Sequence, residues 1–99
     1  EYVGGTFDAV IHGELWEHLP EPDKAVREAL RVLKSGGYLI SSTPIGRHHA
    51  DPMHLRFWDN DSITAFVQQF EDQANVKTLG AIAEEGCEPS CYLIVLERK

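Results

Sequence analysis

The 99-residue sequence has little cysteine and no long apolar run. Its two cysteines, Cys87 and Cys91, are too few for a disulfide framework, which favours a reducing cytoplasm. The longest uninterrupted aliphatic and aromatic run, residues 92–96, is too short to span a bilayer, and no signal-peptide pattern opens the chain. These absences predict a cytoplasmic protein without a membrane partner.

Basic side chains are also scarce, with 9 Lys and Arg against 16 Asp and Glu, for a formal net charge of −7. Such a surface has no electrostatic footprint for non-specific DNA or RNA binding, and anionic lipid would repel it. The content of 42% hydrophobic and 25% charged residues suits one small globular domain. We therefore expect neither a DNA nor a membrane partner.

The chain begins with Glu1, and its only methionine is Met53. A translated gene does not normally start this way. The chain is expected to be either a processed product or a piece of a longer protein.

Hydrophobic periodicity predicts six elements. Residues 7–11 form a short apolar run and are predicted to be a buried strand. A helix is predicted from Pro22 to its end at Gly36 and Gly37, and residues 38–42 form the next strand. The helix carries one apolar stripe, made of Val26, Ala29, Leu30 and Leu33.

The second half of the sequence predicts one helix and two strands. Asp59 is a candidate cap for the helix, and residues 76–83 and 91–96 are predicted strands joined by a turn. Helices alternating with strands favour an open, largely parallel α/β sheet, which the last two strands extend as an antiparallel hairpin.

Several of these segments together resemble a class I S-adenosylmethionine-dependent methyltransferase. The resemblance rests on residues 7–11 (FDAVI), 14–20 (ELWEHLP), 31–40 (RVLKSGGYLI) and 42–44 (STP). It covers the second half of that Rossmann-like fold, from its fourth strand to its seventh. It implies a partial sheet of parallel strands with crossover helices, ending in an antiparallel hairpin.

In this family a glycine-rich loop after the first strand cradles the cofactor. Here Gly4 and Gly5 directly precede the strand that resembles the fourth, so they cannot be that loop. The resemblance therefore implies that residues 1–99 are a single partial domain, the C-terminal half of an enzyme, with little or no activity alone.

The resemblance implies S-adenosylmethionine as the cofactor of the full-length protein. The backbone at His12, Gly13 and Glu14 would pass its methionine part, and the missing side chain of Gly13 would permit a close approach. The alternative interpretation of these residues is a simple turn at the end of a strand.

Glu14, Glu17 and His18 stand at i, i+3 and i+4, so a helical turn would place them on one side, where they could hold a divalent metal such as Mg²⁺. The segment is similar to one in ubiquinone-pathway O-methyltransferases and in methyltransferases of small-RNA terminal ribose, where a metal draws the acceptor hydroxyls toward the donor. By that resemblance His54 completes the site. The alternative is that Glu17 and His18 only brace the loop.

Without a metal, His18 or His54 is a candidate catalytic base, because histidine titrates near neutrality. Trp16, Phe57 and Trp58 either line an acceptor pocket or belong to the core. Methyltransferases that act on base amines typically carry an Asp/Asn-Pro-Pro-Tyr/Phe run where this chain has residues 12–15 (HGEL). That difference disfavours DNA amine methylation.

The sequence thus predicts a fragment of a methyltransferase that acts on a small-molecule acceptor. The alternatives are a metal-assisted RNA ribose methyltransferase and a non-catalytic assembly module. Without the first three strands of the fold, the strand edge from Phe7 to Ile11 would lack a neighbour and tend to recruit another chain. We therefore expect a homo-oligomer formed through that edge.

Overall fold

The computed structural model describes residues 3–45, 56–83, 86 and 89–99. The elements are β1 (Phe7–Gly13), a 3-10 turn (Trp16–His18), α1 (Pro22–Val32), β2 (Leu33–Pro44), α2 (Asn60–Gln68), β3 (Ala74–Ile82) and β4 (Cys91–Arg98). This order agrees with the predicted order of strands and helices.

The four strands form one sheet in the order β1-β2-β4-β3. β1 and β2 are parallel, with α1 as the connection between them, whereas β4 runs antiparallel to both of its neighbours. Three of the four described strands, β1, β2 and β3, therefore run in one direction and β4 runs in the other, which confirms the predicted, largely parallel α/β sheet with a closing antiparallel hairpin.

The core lies between the two helices and one face of the sheet. Leu39 of β2 and Leu96 of β4 are register partners, and both are fully buried together with Val26 of α1 and Ile63 of α2. On the opposite face, Ile11 and Tyr38 remain 74% and 40% exposed. Within the described residues, the sheet is thus covered on one side.

The predicted end of the first helix at Gly36 and Gly37 is wrong. α1 ends at Val32, and Leu33 already has an extended backbone with φ −74° and ψ 142°. The Arg98 guanidinium donates a hydrogen bond to the Leu33 carbonyl, which secures this early end.

The two glycines belong instead to an irregular stretch of β2. The register with β1 changes from Phe7 opposite Leu33 to Ala9 opposite Tyr38, so residues 34–37 of β2 lie opposite the single residue Asp8 and β2 has three additional residues there. Gly36 has φ +83°, a left-handed conformation that glycine adopts without steric strain. A β-carbon on Gly37 would lie 2.9 Å from the Asp8 carbonyl oxygen, so the close approach of β1 requires glycine there.

α2 begins with the predicted Asp59 cap. An Asp59 carboxylate oxygen accepts a 2.7 Å hydrogen bond from the Ser62 amide, and the Ser62 hydroxyl accepts one of 2.9 Å from the Asp59 amide. This reciprocal pair is a capping box and satisfies two backbone donors. Neither described helix has the length and apolar character needed to cross a membrane.

Candidate functional site at the strand ends

The candidate site lies where the parallel strands β1 and β2 end side by side. Gly13 is the register partner of Ser42, and the Glu14 amide donates a 3.0 Å hydrogen bond to the Ser42 carbonyl. Glu14 has φ +51°, so the chain turns sharply just after β1. A β-carbon on Gly13 would meet no atom within 4 Å, so the backbone there borders open space.

Glu17 joins the ends of the two strands. It lies in the 3-10 turn after β1 and is only 2% exposed. The fully buried Thr43 hydroxyl of β2 donates a 3.0 Å hydrogen bond to Glu17 Oε1. This bond fixes the turn against β2 and orients a carboxylate at the shared edge.

The second oxygen of this carboxylate is chemically unsatisfied. Glu17 Oε2 is buried and has no hydrogen-bond partner among the described residues. The nearest cationic candidate is His18, whose Nε2 lies 3.9 Å away, beyond hydrogen-bond distance, and whose side chain is 37% exposed. A buried carboxylate oxygen without a donor is unfavourable, so this position favours a ligand that carries an N–H or O–H group or a positive charge.

Arg56 holds the same turn from outside the sheet. Its guanidinium donates to the carbonyls of Trp16 at 2.8 Å and Pro20 at 3.1 Å, and also to that of Leu19. Its cationic carbon lies 6.0 Å from the ring centre of Trp58. No local sequence motif marks Arg56 as a site residue, because its partners are backbone carbonyls 36 to 40 positions away.

His12 is half-buried and accepts a 3.1 Å hydrogen bond at Nδ1 from the indole of Trp16. Burial lowers the pKa of His12 below its usual 6.5, so its imidazole is neutral at neutral pH. The His12 carbonyl accepts a 3.1 Å hydrogen bond from the Ser41 hydroxyl, which ties this backbone to β2. Because its Nδ1 is engaged, that atom is not an available base.

The aromatic residues near the site belong to the core. Trp16 is fully buried, Trp58 is 6% exposed, and their ring centres are 6.5 Å apart in an edge-to-face arrangement. Phe66 lies 5.1 Å and 5.0 Å from these two rings. This packing shows that both tryptophans belong to the core. Phe57 is half-buried.

The predicted metal set is not brought together in the described residues, which contain no group of three or more His, Cys, Asp or Glu able to hold an ion. The 3-10 turn begins only at Trp16, so Glu14 does not share a helical turn with Glu17 and His18 as predicted. The Glu14 carboxylate instead acts on Cys91 of β4, where burial first and this charge second raise the pKa of the thiol.

Some of the predicted residues lie outside the described ones. These are His54 and Cys87. Of the four proposed metal ligands, the structure places Glu17 and His18 next to each other.

Comparison with known proteins identifies similar sequences. A family described as a methyltransferase domain matches residues 2–41. The ubiquinone biosynthesis O-methyltransferase of Xanthomonas oryzae is 49% identical over 39 residues, which are 39% of this chain and 16% of that protein. The sarcosine/dimethylglycine N-methyltransferase of Halorhodospira halochloris is 32% identical over 79 residues, which are 80% of this chain and 24% of that protein. The chain thus spans less than a quarter of these curated relatives.

Solved structures share the fold at low sequence identity. A SAM-dependent methyltransferase of Leishmania major superimposes with a TM-score of 0.72 at 10% identity, covering 95% of this chain and 39% of that one. The [4+2]-cyclase SpnF superimposes with a TM-score of 0.75 at 17% identity, covering 98% of this chain and 52% of that one. Because the same fold also occurs in a cyclase, these likenesses establish architecture rather than reaction.

Proposed function

Because the chain belongs to the class I S-adenosylmethionine-dependent methyltransferases, we propose that it is the C-terminal part of such an enzyme and that the complete protein methylates a small-molecule acceptor. The observation that carries this proposal is the Thr43–Glu17 hydrogen bond, which orients a buried carboxylate where the two parallel strands end. In open α/β sheets that edge is where ligands bind.

The residues at this edge are compatible with the cofactor. Open space beside Gly13 leaves room for a ligand against the backbone of His12, Gly13 and Glu14. The lowered pKa of His12 keeps its imidazole neutral at neutral pH, so it would not repel a sulfonium cation nearby. S-adenosylmethionine, when bound, supplies an electrophilic methyl group.

His18 and Glu17 serve the acceptor in this proposal. His18 takes the proton of an acceptor hydroxyl or amine as the acceptor's lone pair forms its bond to the methyl carbon. The sulfur of a bound S-adenosylmethionine would keep the electron pair of the carbon–sulfur bond that the transfer breaks. Glu17 Oε2, 3.9 Å from His18 Nε2, accepts a hydrogen bond from the acceptor or from the charged imidazole. Arg56 keeps this turn in place, and alignment rather than proton transfer provides most of the rate.

The small-molecule class rests on two observations. The similar enzymes are named for ubiquinone biosynthesis and for sarcosine and dimethylglycine, one an O- and the other an N-methyltransferase. The segment after β1 also lacks the Pro-Pro run typical of enzymes that methylate base amines. No step here uses a metal, because the described residues bring only Glu17 and His18 together and the proposed role of His54 lies outside them.

The proposal includes two further expectations from the sequence. The outer edge of β1, from Phe7 to Ile11, would pair with a second copy of the chain when no other strand covers it. Cytoplasmic localisation is proposed on the low cysteine content alone.

Calorimetric titration with S-adenosylhomocysteine tests the proposal on this chain and on a chain extended at its N-terminus. We expect binding only to the longer chain, since the glycine-rich loop of the family is not in these residues. Tight binding to the 99 residues alone would refute the proposal that the cofactor-binding half of the enzyme lies outside them.

In the extended chain, Glu17→Gln and His18→Gln should each lower methyl transfer at least about tenfold while cofactor binding is kept. Lys24→Gln, on the exposed first turn of α1, is the matched control. Full activity of both site variants would refute the assigned roles. If chelation abolished activity and Mg²⁺ restored it, methyl transfer would require a metal ion.

A further inference from the structure

Two residues at the strand ends, His12 and Glu17, are held by neighbouring positions of β2. The Ser41 hydroxyl donates a 3.1 Å hydrogen bond to the His12 carbonyl. The Thr43 hydroxyl donates one of 3.0 Å to Glu17 Oε1. Ser41 and Thr43 are both buried and lie two residues apart on β2, so their side chains share one face at a spacing of about 7 Å. His12 and Glu17 therefore border the same part of the candidate site.

The hydrogen bond from Trp16 fixes the position of the proton on the His12 ring. An indole nitrogen is a donor only, so His12 Nδ1, 3.1 Å from Trp16 Nε1, accepts with its lone pair. The imidazole is then neutral and carries its hydrogen on Nε2. Nε2 has no hydrogen-bond partner within the described residues, and the side chain is only half-buried. His12 thus presents a fixed N–H donor to a ligand.

Glu17 presents the opposite polarity. Its Oε2 is buried without a donor from the described part of the chain, and an ionised carboxylate can only accept hydrogen bonds. Hydrogen bonds are strongest where one partner is ionised, so an ammonium group is a favourable partner for this oxygen and a carboxylate for His12 Nε2. The two side chains together are complementary to a group that carries both charges.

We propose that His12 and Glu17 bind an amino-acid group of the methyl acceptor, with its carboxylate on His12 Nε2 and its amino group on Glu17 Oε2. This inference rests on the proposed function and narrows the acceptor to an amine with a neighbouring carboxylate. The amine then lies beside the proposed base, because Glu17 Oε2 and His18 Nε2 are 3.9 Å apart. The chain carries a net charge of −7, which disfavours an anionic ligand, whereas an amino-acid zwitterion has no net charge.

Calorimetric titration of the extended chain, saturated with S-adenosylhomocysteine, tests this assignment with sarcosine and dimethylamine. Both probes are secondary amines, and only sarcosine has a carboxylate. We expect sarcosine to bind about tenfold more tightly, the scale of a hydrogen bond to a charged group. His12→Asn should remove most of this preference. His12→Gln should restore it, because the longer side chain brings an amide N–H close to the position of Nε2.

The ratio of the two affinities separates a ligand contact from a structural effect. A variant that is merely destabilised binds both probes less well, and Lys24→Gln, on the exposed first turn of α1, should leave the ratio unchanged. The absence of saturable sarcosine binding, equal affinities for the two probes, or an undiminished preference in His12→Asn would each overturn the proposal.

S-adenosylmethionine also contains an amino-acid group, so a second comparison separates the two sources. S-adenosylhomocysteine carries this group and 5′-methylthioadenosine lacks it. We expect His12→Asn to change neither affinity much. A loss confined to S-adenosylhomocysteine would overturn the assignment to the acceptor and give this contact to the cofactor. An extended chain that binds S-adenosylhomocysteine without preferring sarcosine would contradict this inference alone, whereas one that binds no S-adenosylhomocysteine would contradict the proposed function.

Discussion

The hydroxyl of Thr43 satisfies one oxygen of a carboxylate that is almost entirely shielded from water. Thr43→Val keeps the shape of the side chain but removes this donor, so Glu17 Oε1 loses its partner and neither oxygen of the carboxylate then has a described hydrogen bond. We expect this variant to lose about 1–3 kcal/mol of unfolding free energy in urea denaturation.

Two comparisons separate the hydrogen bond from packing. Thr43→Ser keeps the hydroxyl and should recover most of the loss, whereas Thr78→Val, on the exposed side of β3, should have little effect. A serine variant as unstable as the valine variant would contradict the assigned role of the hydroxyl.

His12 makes a pH-dependent contribution to stability. Because burial lowers the pKa of folded His12 from 6.5, the unfolded chain binds this proton more tightly than the folded chain. The contribution is complete above about pH 6.5 and decreases as the pH falls through that value. Protonation at Nδ1 would also remove the acceptor of the Trp16 indole.

Thermal unfolding between pH 7.5 and 5.5 measures this effect. His12→Asn retains an acceptor without a titrating ring, so we expect a smaller decrease in its melting temperature over this interval than in the unmodified chain. Parallel decreases in the two proteins would assign the pH dependence to other groups.

The sequence was informative about individual site residues only where a local pattern existed. The segment 14–20 (ELWEHLP) identified Glu17 and His18, which the structure places at the strand ends. The helical spacing wrongly grouped Glu14 with these two residues. Such spacing predicts a shared face only if the helical turn forms, and the Glu14 amide is instead hydrogen-bonded to the Ser42 carbonyl. Arg56 had no pattern at all, since its backbone partners become neighbours only in the folded chain.

At the scale of elements, the close approach between β1 and β2 depends on a single hydrogen atom at Gly37. Gly37→Ala would bring a methyl group to 2.9 Å from the Asp8 carbonyl and 3.0 Å from the Lys34 carbonyl. Both contacts are with backbone, which does not move away easily. We expect the alanine variant to lose about 1–3 kcal/mol of unfolding free energy.

Gly80→Ala provides the matched control within β3. A β-carbon there meets no atom within 4 Å, so the substitution should leave stability nearly unchanged. Urea denaturation of both variants measures the difference, and similar stabilities would show that β2 adjusts without cost.

The same glycines explain why element boundaries were harder to predict than element types. Apolar periodicity identified both helices, and the Asp59 cap was read correctly from local chemistry. The Gly-Gly pair also looked like a helix end. The actual end at Val32 depends on Arg98, 65 positions beyond Leu33, and on the register of β1, neither of which is local information.

For the whole molecule, one sheet face has an apolar, solvent-exposed surface. Ile11 on β1 is 74% exposed, and Tyr38 on the same face is 40% exposed. Such surfaces, next to an unpaired strand edge, favour association.

We therefore expect the chain to be dimeric or larger in light scattering at about 100 μM, and Ile11→Lys to shift it toward monomer by placing a charge on the associating surface. Val3→Lys alters another exposed apolar residue that lies outside the sheet and should leave the assembly intact. A monomeric unmodified chain would contradict the proposed edge.

The alternation of strands and helices was enough to predict the parallel pair and the antiparallel hairpin at this scale. It was not enough to predict the position of β4 within the sheet, because strand order depends on which strand edges pair and not on local sequence pattern. Hydrophobic periodicity is the same whether a strand lies at the edge or in the centre of a sheet.

The position of β4 between β2 and β3 determines when the sheet can assemble. β4 is the last strand along the sequence, yet it lies between β2 and β3 and is the only described strand that pairs with β3. While the chain emerges from the ribosome, residues 74–82 lack their described partner strand until residues 91–98 are released. Folding of this half of the sheet therefore follows the synthesis of β4, and until then its strands are exposed to binding by chaperones.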